Sequence, residues 1–324
     1  MNNLTLLILY FALLIIALLI VIKAADLFVD NIVKLGEAIG VSQIILGITV
    51  SAIGTSLPEF GSALIATLSG NPDIGVGVVI GSNIWNIAGI LGISSFVAGY
   101  IATNREEINR DGLMTLITSL ILMGFLIISN ELTRISGIIL IIAYLIYLWI
   151  LIKAQKSKSK NNDINNKNTH LNKKNALFLI VGLLGLIIGS RILVLSGVEL
   201  AHILNIPEIL IGLFALGIGT SAPELVVTLT SAMKKHYSLS FGTILGSNIF
   251  NILIGIGLPV LFVNIPIEPL SVTFDAPMMI FVTVLLLLLS RRKMKLTRYG
   301  GLVLIIVYII YVTIRIYLSL YRLS

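Results

Sequence analysis

The sequence predicts an all-α integral membrane protein of ten transmembrane helices, arranged as two inverted five-helix repeats. Three observations carry that prediction. Of the 324 residues 57% are apolar and only 11% charged, with a mean hydropathy of +1.06, a composition foreign to water-soluble domains. Apolar runs of about 20 residues, enough for a helix to cross a hydrocarbon core of roughly 30 Å, recur along almost the whole chain. Finally, two motifs return in one register: GITVSAIGTSLPE at 47–59 as GLFALGIGTSAPE at 212–224, and GSNIWN at 81–86 as GSNIFN at 246–251. Both are displaced by 165 residues without a gap, which marks an internal duplication.

Taken in order, the N-terminus MNNLTLLILYF lacks the basic start and small-residue cleavage site of a secretory signal, so residues 4–24 are read as a retained first helix. Segments follow at about 43–69, 74–98, 112–129 and 135–152, then at 176–196, 207–232, 240–263, 272–290 and 300–320. Residues 1–152 thus form an N-terminal five-helix repeat and 176–324 a C-terminal one. Between them, residues 153–175 carry seven lysines, many asparagines and almost nothing apolar, which reads as a flexible linker. The two Glu-bearing motifs lie five crossings apart, and an odd number of crossings inverts the second copy. Transporters built from inverted repeats place their sites near the bilayer midplane at the repeat interface. With both termini outside and the linker cytoplasmic, eighteen of the 22 Lys and Arg residues fall on the inner side.

The net charge of +7 does not point to nucleic acid, because the basic residues lie between apolar runs rather than in a stripe interleaved with aromatics. Absence of cysteine excludes disulfides and thiolate metal sites. His170, His202 and His236 are scattered without ligand spacing, and Ser56 and Ser221 have no neighbouring His base, so no enzyme chemistry is expected. A cation channel would want a continuous filter, usually formed between subunits, rather than two inverted copies each holding a carboxylate.

Glu59 and Glu224 sit inside apolar segments, where an ionised side chain costs at least a few kcal/mol unless it meets a partner or a wet cavity. A bound cation is such a partner. On a helix Ala52, Ser56 and Glu59 share a face with Thr55 four before Glu59, and Gly217, Ser221, Glu224 and Thr220 repeat the pattern, with broken helix turns expected at Pro58 and Pro223. Pro58 and Pro223 cannot bond to the carbonyls of Gly54 and Gly219, which are expected to be free for an ion. A plain kink, with Ser and Thr bonding back along the helix, is the alternative. Ser82 with Asn86, and Ser247 with Asn251, add hydroxyl and amide oxygens at a spacing of four. Asn83 and Asn248 lie off that face and carry the further reading of helix–helix glue. Asp26, Asp30, Lys34 and Glu37 read as interfacial charge, and Asp275 as boundary chemistry.

GTSLPE with GSNIWN, and GTSAPE with GSNIFN, resemble the two alpha-repeats of the calcium/cation antiporter superfamily, its prokaryotic sodium/calcium exchanger branch above all, over essentially the whole chain. The resemblance implies a secondary active antiporter that exchanges calcium for sodium across the cell membrane by alternating access. It places calcium between Glu59 and Glu224. Sodium would be held by hydroxyls or carbonyls of Ala52, Thr55, Ser56 and Ser82 in one half and of Gly217, Thr220, Ser221 and Ser247 in the other, with Asn86 and Asn251 completing the centre. The first and sixth segments would slide across the rest. Calcium and sodium are cargo in this reading, no cofactor is expected, and the bilayer-embedded chain is expected to work as a monomer. One departure stands out: well-known sodium/calcium exchangers have aspartate where this chain has Asn251. The centre then carries at most two negative charges, and calcium/proton exchange stays as the alternative.

Overall fold

A long apolar run in lipid must satisfy its own backbone, and a helix does so within the segment. The computed structural model describes residues 3–68, 72–129, 131–161, 173–204 and 219–323, and is a bundle of such helices. They are α1 (Asn3–Ile39), α2 (Gln43–Thr55), α3 (Leu57–Leu68), α4 (Gly75–Ala98), α5 (Glu107–Ile128) and α6 (Arg134–Asn161). After the linker come α7 (Lys173–Ile203), α8 (Ala222–Met233), α9 (Tyr237–Val260), α10 (Ser271–Arg291) and α11 (Arg298–Leu323). Among the described residues eight helices are long and apolar enough to cross a membrane, or nine if α2 and α3, bent by 44°, are one span. α8 is the described part of the expected seventh segment; residues 205–218, and 162–172 of the linker, lie outside the described residues.

Two boundaries differ from expectation. α1 continues from residue 24 to Ile39 because its apolar stripe continues: Ala25, Phe28, Val29, Ile32 and Val33 are all buried on one face. Both ends of the linker are helical, since α6 runs on to Asn161 and α7 starts at Lys173. Extending an established helix by Lys, Gln and Ala costs little once nucleation is complete.

The inversion is visible in the loops. Strand β1 (Tyr100–Ala102) pairs antiparallel with β4 (Lys295–Thr297), and β2 (Glu131–Leu132) with β3 (Ile265–Pro266). β1 and β3 precede α5 and α10, while β2 and β4 precede α6 and α11, so each pair joins one repeat to the non-equivalent loop of the other. Equivalent loops therefore lie on opposite faces of the membrane.

Apolar packing divides into two cores. The larger one centres on α4 and α9, which are buried nearly throughout, whereas the other long spans leave most residues facing lipid. The smaller one joins α1 to α7 and touches the rest through Leu46, Val227 and Leu239. Gly182, Gly185 and Gly189 let α7 lie directly on α1: a Cβ at Gly182 would sit 2.8 Å from the Phe28 nitrogen. Beyond α8, Lys234 reaches α1 and pairs with Asp30 at 2.7 Å and Asp26 at 3.0 Å. Partial burial works against the Lys234 charge, but the two carboxylates outweigh it and raise its pKa.

Two acids that spacing alone did not single out are deeply buried. Asp111 accepts Tyr147 at 2.9 Å and Arg110 at 2.7 Å; Asp275 accepts Tyr311 at 3.0 Å and Arg315 at 3.1 Å. Both sit on π-helical turns, Glu107–Gly112 and Ser271–Asp275. Asp275, read from the sequence as boundary chemistry, does lie near the start of α10, where it is buried and clamped by Tyr311 and Arg315. Because a hydrogen bond to a charged group contributes about 1.5–3 kcal/mol, Tyr147→Phe and Tyr311→Phe should each lower thermal stability in detergent by that amount. An unchanged melting curve in both would show that the clamps contribute nothing.

Candidate cation site

The sites of Glu59 and Glu224 begin with a break in the helix. Ser56 (φ −84°, ψ 4°) and Ser221 (φ −87°, ψ 15°) take nearly the same non-helical conformation just before α3 and α8. Pro58 and Pro223 then fall in the first turn, where a missing N–H costs nothing. Each glutamate is therefore a first-turn residue at the positive end of a helix, which favours a carboxylate. The break at the prolines is as expected, but it puts Ala52 on α2 and Glu59 on α3, so Ala52, Ser56 and Glu59 do not share one helical face. The ring of Pro58 and the lost hydrogen bond end α2, whose final bond runs from the Ser56 N–H to the Ala52 carbonyl at 3.0 Å. Of the two carbonyls expected to be free, that of Gly219 is not, for it accepts the Ala222 N–H at 3.3 Å.

These carboxylates and the polar side chains of the two repeated motifs include buried oxygens that lack partners. Ser56 donates to Glu224 Oε1 at 2.8 Å, and Ser221 stands in the mirror position beside Glu59. Both Glu59 oxygens, Glu224 Oε2, the hydroxyls of Ser82, Ser221 and Ser247, and Oδ1 of Asn86 and Asn251 are buried without a hydrogen-bond partner among the described residues. That makes eight. Thr55 donates to the Ser51 carbonyl at 3.0 Å, which spends its proton and leaves its lone pairs. Ala52 and Thr220 are buried too, while Gly217 lies outside the described residues. One unsatisfied buried polar group costs about 1–3 kcal/mol, and a charged one more. Carboxylate, hydroxyl and amide oxygens are the ligand types that a hard cation such as calcium takes.

α4 and α9 cross beside this region through a reciprocal amide network. Asn83 Nδ2 donates to the Asn248 carbonyl at 3.1 Å, and Asn248 Nδ2 to the Asn83 carbonyl at 3.0 Å. Asn86 Nδ2 donates to Asn248 Oδ1 at 3.0 Å, and Asn251 Nδ2 to Asn83 Oδ1 at 3.3 Å. Both site asparagines lie at or near the start of π-helical turns, Trp85–Leu91 and Asn251–Ile256, a feature frequent at functional sites. Asn83 and Asn248, read from the sequence as lying off the Ser/Asn face and as helix–helix glue, do bond the two helices to each other.

Backbone approach holds the two halves together here. A Cβ added at Gly246 on α9 would lie 2.5 Å from Ile48 Cα and 2.7 Å from Ala52 Cβ on α2, and one at Gly47 would lie 2.7 Å from the Leu239 carbonyl. The Ser51 and Thr243 hydroxyls meet across the same contact at 2.8 Å.

Comparison with known proteins now decides the family: the profile of the sodium/calcium exchanger protein family matches residues 9–153 and 174–317. The chain belongs to that family. It is a cation/calcium antiporter, a membrane transporter and not an enzyme, and its ions are cargo rather than cofactors. This antiporter is 33% identical over 290 residues to inner membrane protein YrbG of Escherichia coli, covering 87% of this chain and 89% of that one. It is 27% identical over 346 residues to sodium/calcium exchanger MaX1 of Methanosarcina acetivorans, covering 95% and 99%. A solved structure of the sodium-calcium exchanger NCX_Mj, soaked with 100 mM Na+ and 10 mM Sr2+, matches with a TM-score of 0.82 at 28% identity, over 95% of this chain and 98% of that one.

Proposed function

We propose that this antiporter exchanges calcium for sodium, binding calcium between Glu59 and Glu224. Sodium takes the oxygens of Ala52, Thr55, Ser56, Ser82, Gly217, Thr220, Ser221 and Ser247, and Asn86 and Asn251 complete the site. The observation that carries this reading is the set of eight unpartnered buried oxygens, three on Glu59 and Glu224 and five on the serines and asparagines of the repeated motifs. Their two negative charges balance one calcium or two sodium ions, so the two cargoes compete for one centre. The separate α1–α7 core supports alternating access by sliding of that pair over the remaining bundle. In this proposal residues 1–152 and 176–324 are the two repeats, the linker at 153–175 is cytoplasmic, both termini are outside the plasma membrane, and one chain suffices.

Calcium/proton exchange is the second reading, and it draws on the same two carboxylates, which then take up protons in place of sodium. Reconstitution in liposomes separates the two. A sodium gradient imposed alone should drive calcium accumulation, and a pH gradient alone should not; accumulation under the pH gradient only would replace sodium by protons in the proposal. Asn251→Asp adds a third acid and is expected to change the charge moved per cycle, read as current in planar bilayers. An unchanged current-to-flux ratio would remove position 251 from coupling.

A further inference from the structure

An asparagine side chain presents either its oxygen or its NH2 group to a site, and the two differ by a half-turn about one bond. Only the oxygen suits a cation. What selects it at Asn86 and Asn251 is legible in the crossing of α4 and α9, and it begins from main-chain carbonyls that can do nothing but accept. Since Asn83 faces the Asn248 carbonyl, it must place Nδ2 there, and its Oδ1 is thereby turned toward Asn251. That oxygen also only accepts, so Asn251 must offer Nδ2 to it and send Oδ1 the other way, where it has no partner among the described residues. The mirror chain of reasoning runs from the Asn83 carbonyl through Asn248 to Asn86. All four side chains are at most 1% exposed, and they satisfy one another across the crossing.

We infer that Asn83 and Asn248 are positioning residues that fix the polarity of the two site amides, an inference resting on the proposed cation site. They hold oxygens toward the ion without touching it. The network also explains why an amide, rather than an acid, fits position 251. An ionised aspartate there would set its oxygens against Asn83 Oδ1, 3.3 Å from the present nitrogen. Turning Asn83 over would only move the clash to the Asn248 carbonyl.

The test is calcium binding by the full-length protein in detergent, by titration calorimetry, in the unaltered chain, Asn83→Ala, Asn251→Asp and the double variant. Partners that orient a metal ligand typically contribute 10- to 100-fold in affinity, so Asn83→Ala should weaken binding by about tenfold. In the Asn251→Asp background the same change should strengthen binding, because it removes the opposed oxygen. A merely structural Asn83 cannot produce that reversal of sign. Equal weakening in both backgrounds, or no weakening in the unaltered one, overturns the inference while leaving the site intact. Absence of calcium binding by the unaltered protein overturns the site and the inference together. Should Asn83→Ala fail to assemble, Asn248→Ala with Asn86→Asp, the mirror pair, gives the same four-way comparison.

Discussion

Glu59→Gln, and separately Glu224→Gln, are expected to lower calcium uptake into liposomes by more than about a hundredfold. Glutamine keeps the volume and one oxygen of each side chain but removes a full charge from a buried ion contact. Removing one partner of such a contact costs about 3–5 kcal/mol, and each 1.4 kcal/mol is tenfold in affinity. Neither glutamate can stand in for the other, since each begins its own helix and both carry oxygens that have no partner among the described residues. The same variants should lose the calcium-induced rise in melting temperature of the parent, because a ligand stabilises only the state that binds it. A Glu59→Gln protein that still accumulates calcium under an imposed sodium gradient would sink the assignment of the centre.

The second large effect is structural. Gly246→Val should abolish properly assembled protein, or leave a form that melts far below the parent. The new side chain would start 2.5 Å from the Cα and carbonyl oxygen of Ile48, and main chain cannot swing aside as a side chain can. Overpacking commonly costs about 1–3 kcal/mol, and the rigid neighbour places this case at or above the top of that range. Gly124 on α5, with nothing within 4 Å of a built Cβ, is the control, and Gly124→Ala should fold normally. A Gly246→Val chain with unaltered melting and transport would show that α2 and α9 separate more easily than their packing implies.

Much of this was written locally. A carboxylate amid leucines is conspicuous because lipid makes it expensive, and the 165-residue register exposed both the duplication and the partners of each glutamate. Other features depend on contacts that no local spacing encodes. The breaks at Ser56 and Ser221 follow from prolines two residues on, yet whether Gly219 would keep its carbonyl free depended on the turn that formed, and Ala222 took it. Asp111 and Asp275 find tyrosines 36 residues away on the next helix. They are offset by 164 rather than 165, so one slipped residue hid them from the register that revealed the motifs. The extension of α1 to Ile39 was masked by its charges, which lie on the face away from Phe28 and Ile32.

The tie between Lys234 and α1 breaks the pattern of the duplication. Counting 165 residues on from Asp26 and Asp30 leads to Arg191 and Leu195, so the second repeat has no matching acid pair. A perfectly two-fold machine would rest equally in both of its alternating poses. For the sliding of α1 and α7 proposed above, a tether present on only one face among the described residues tilts that balance. Partly exposed ion pairs contribute about 0.2–1 kcal/mol each, enough to make one resting pose several times more populated than the other, and salt should level the two.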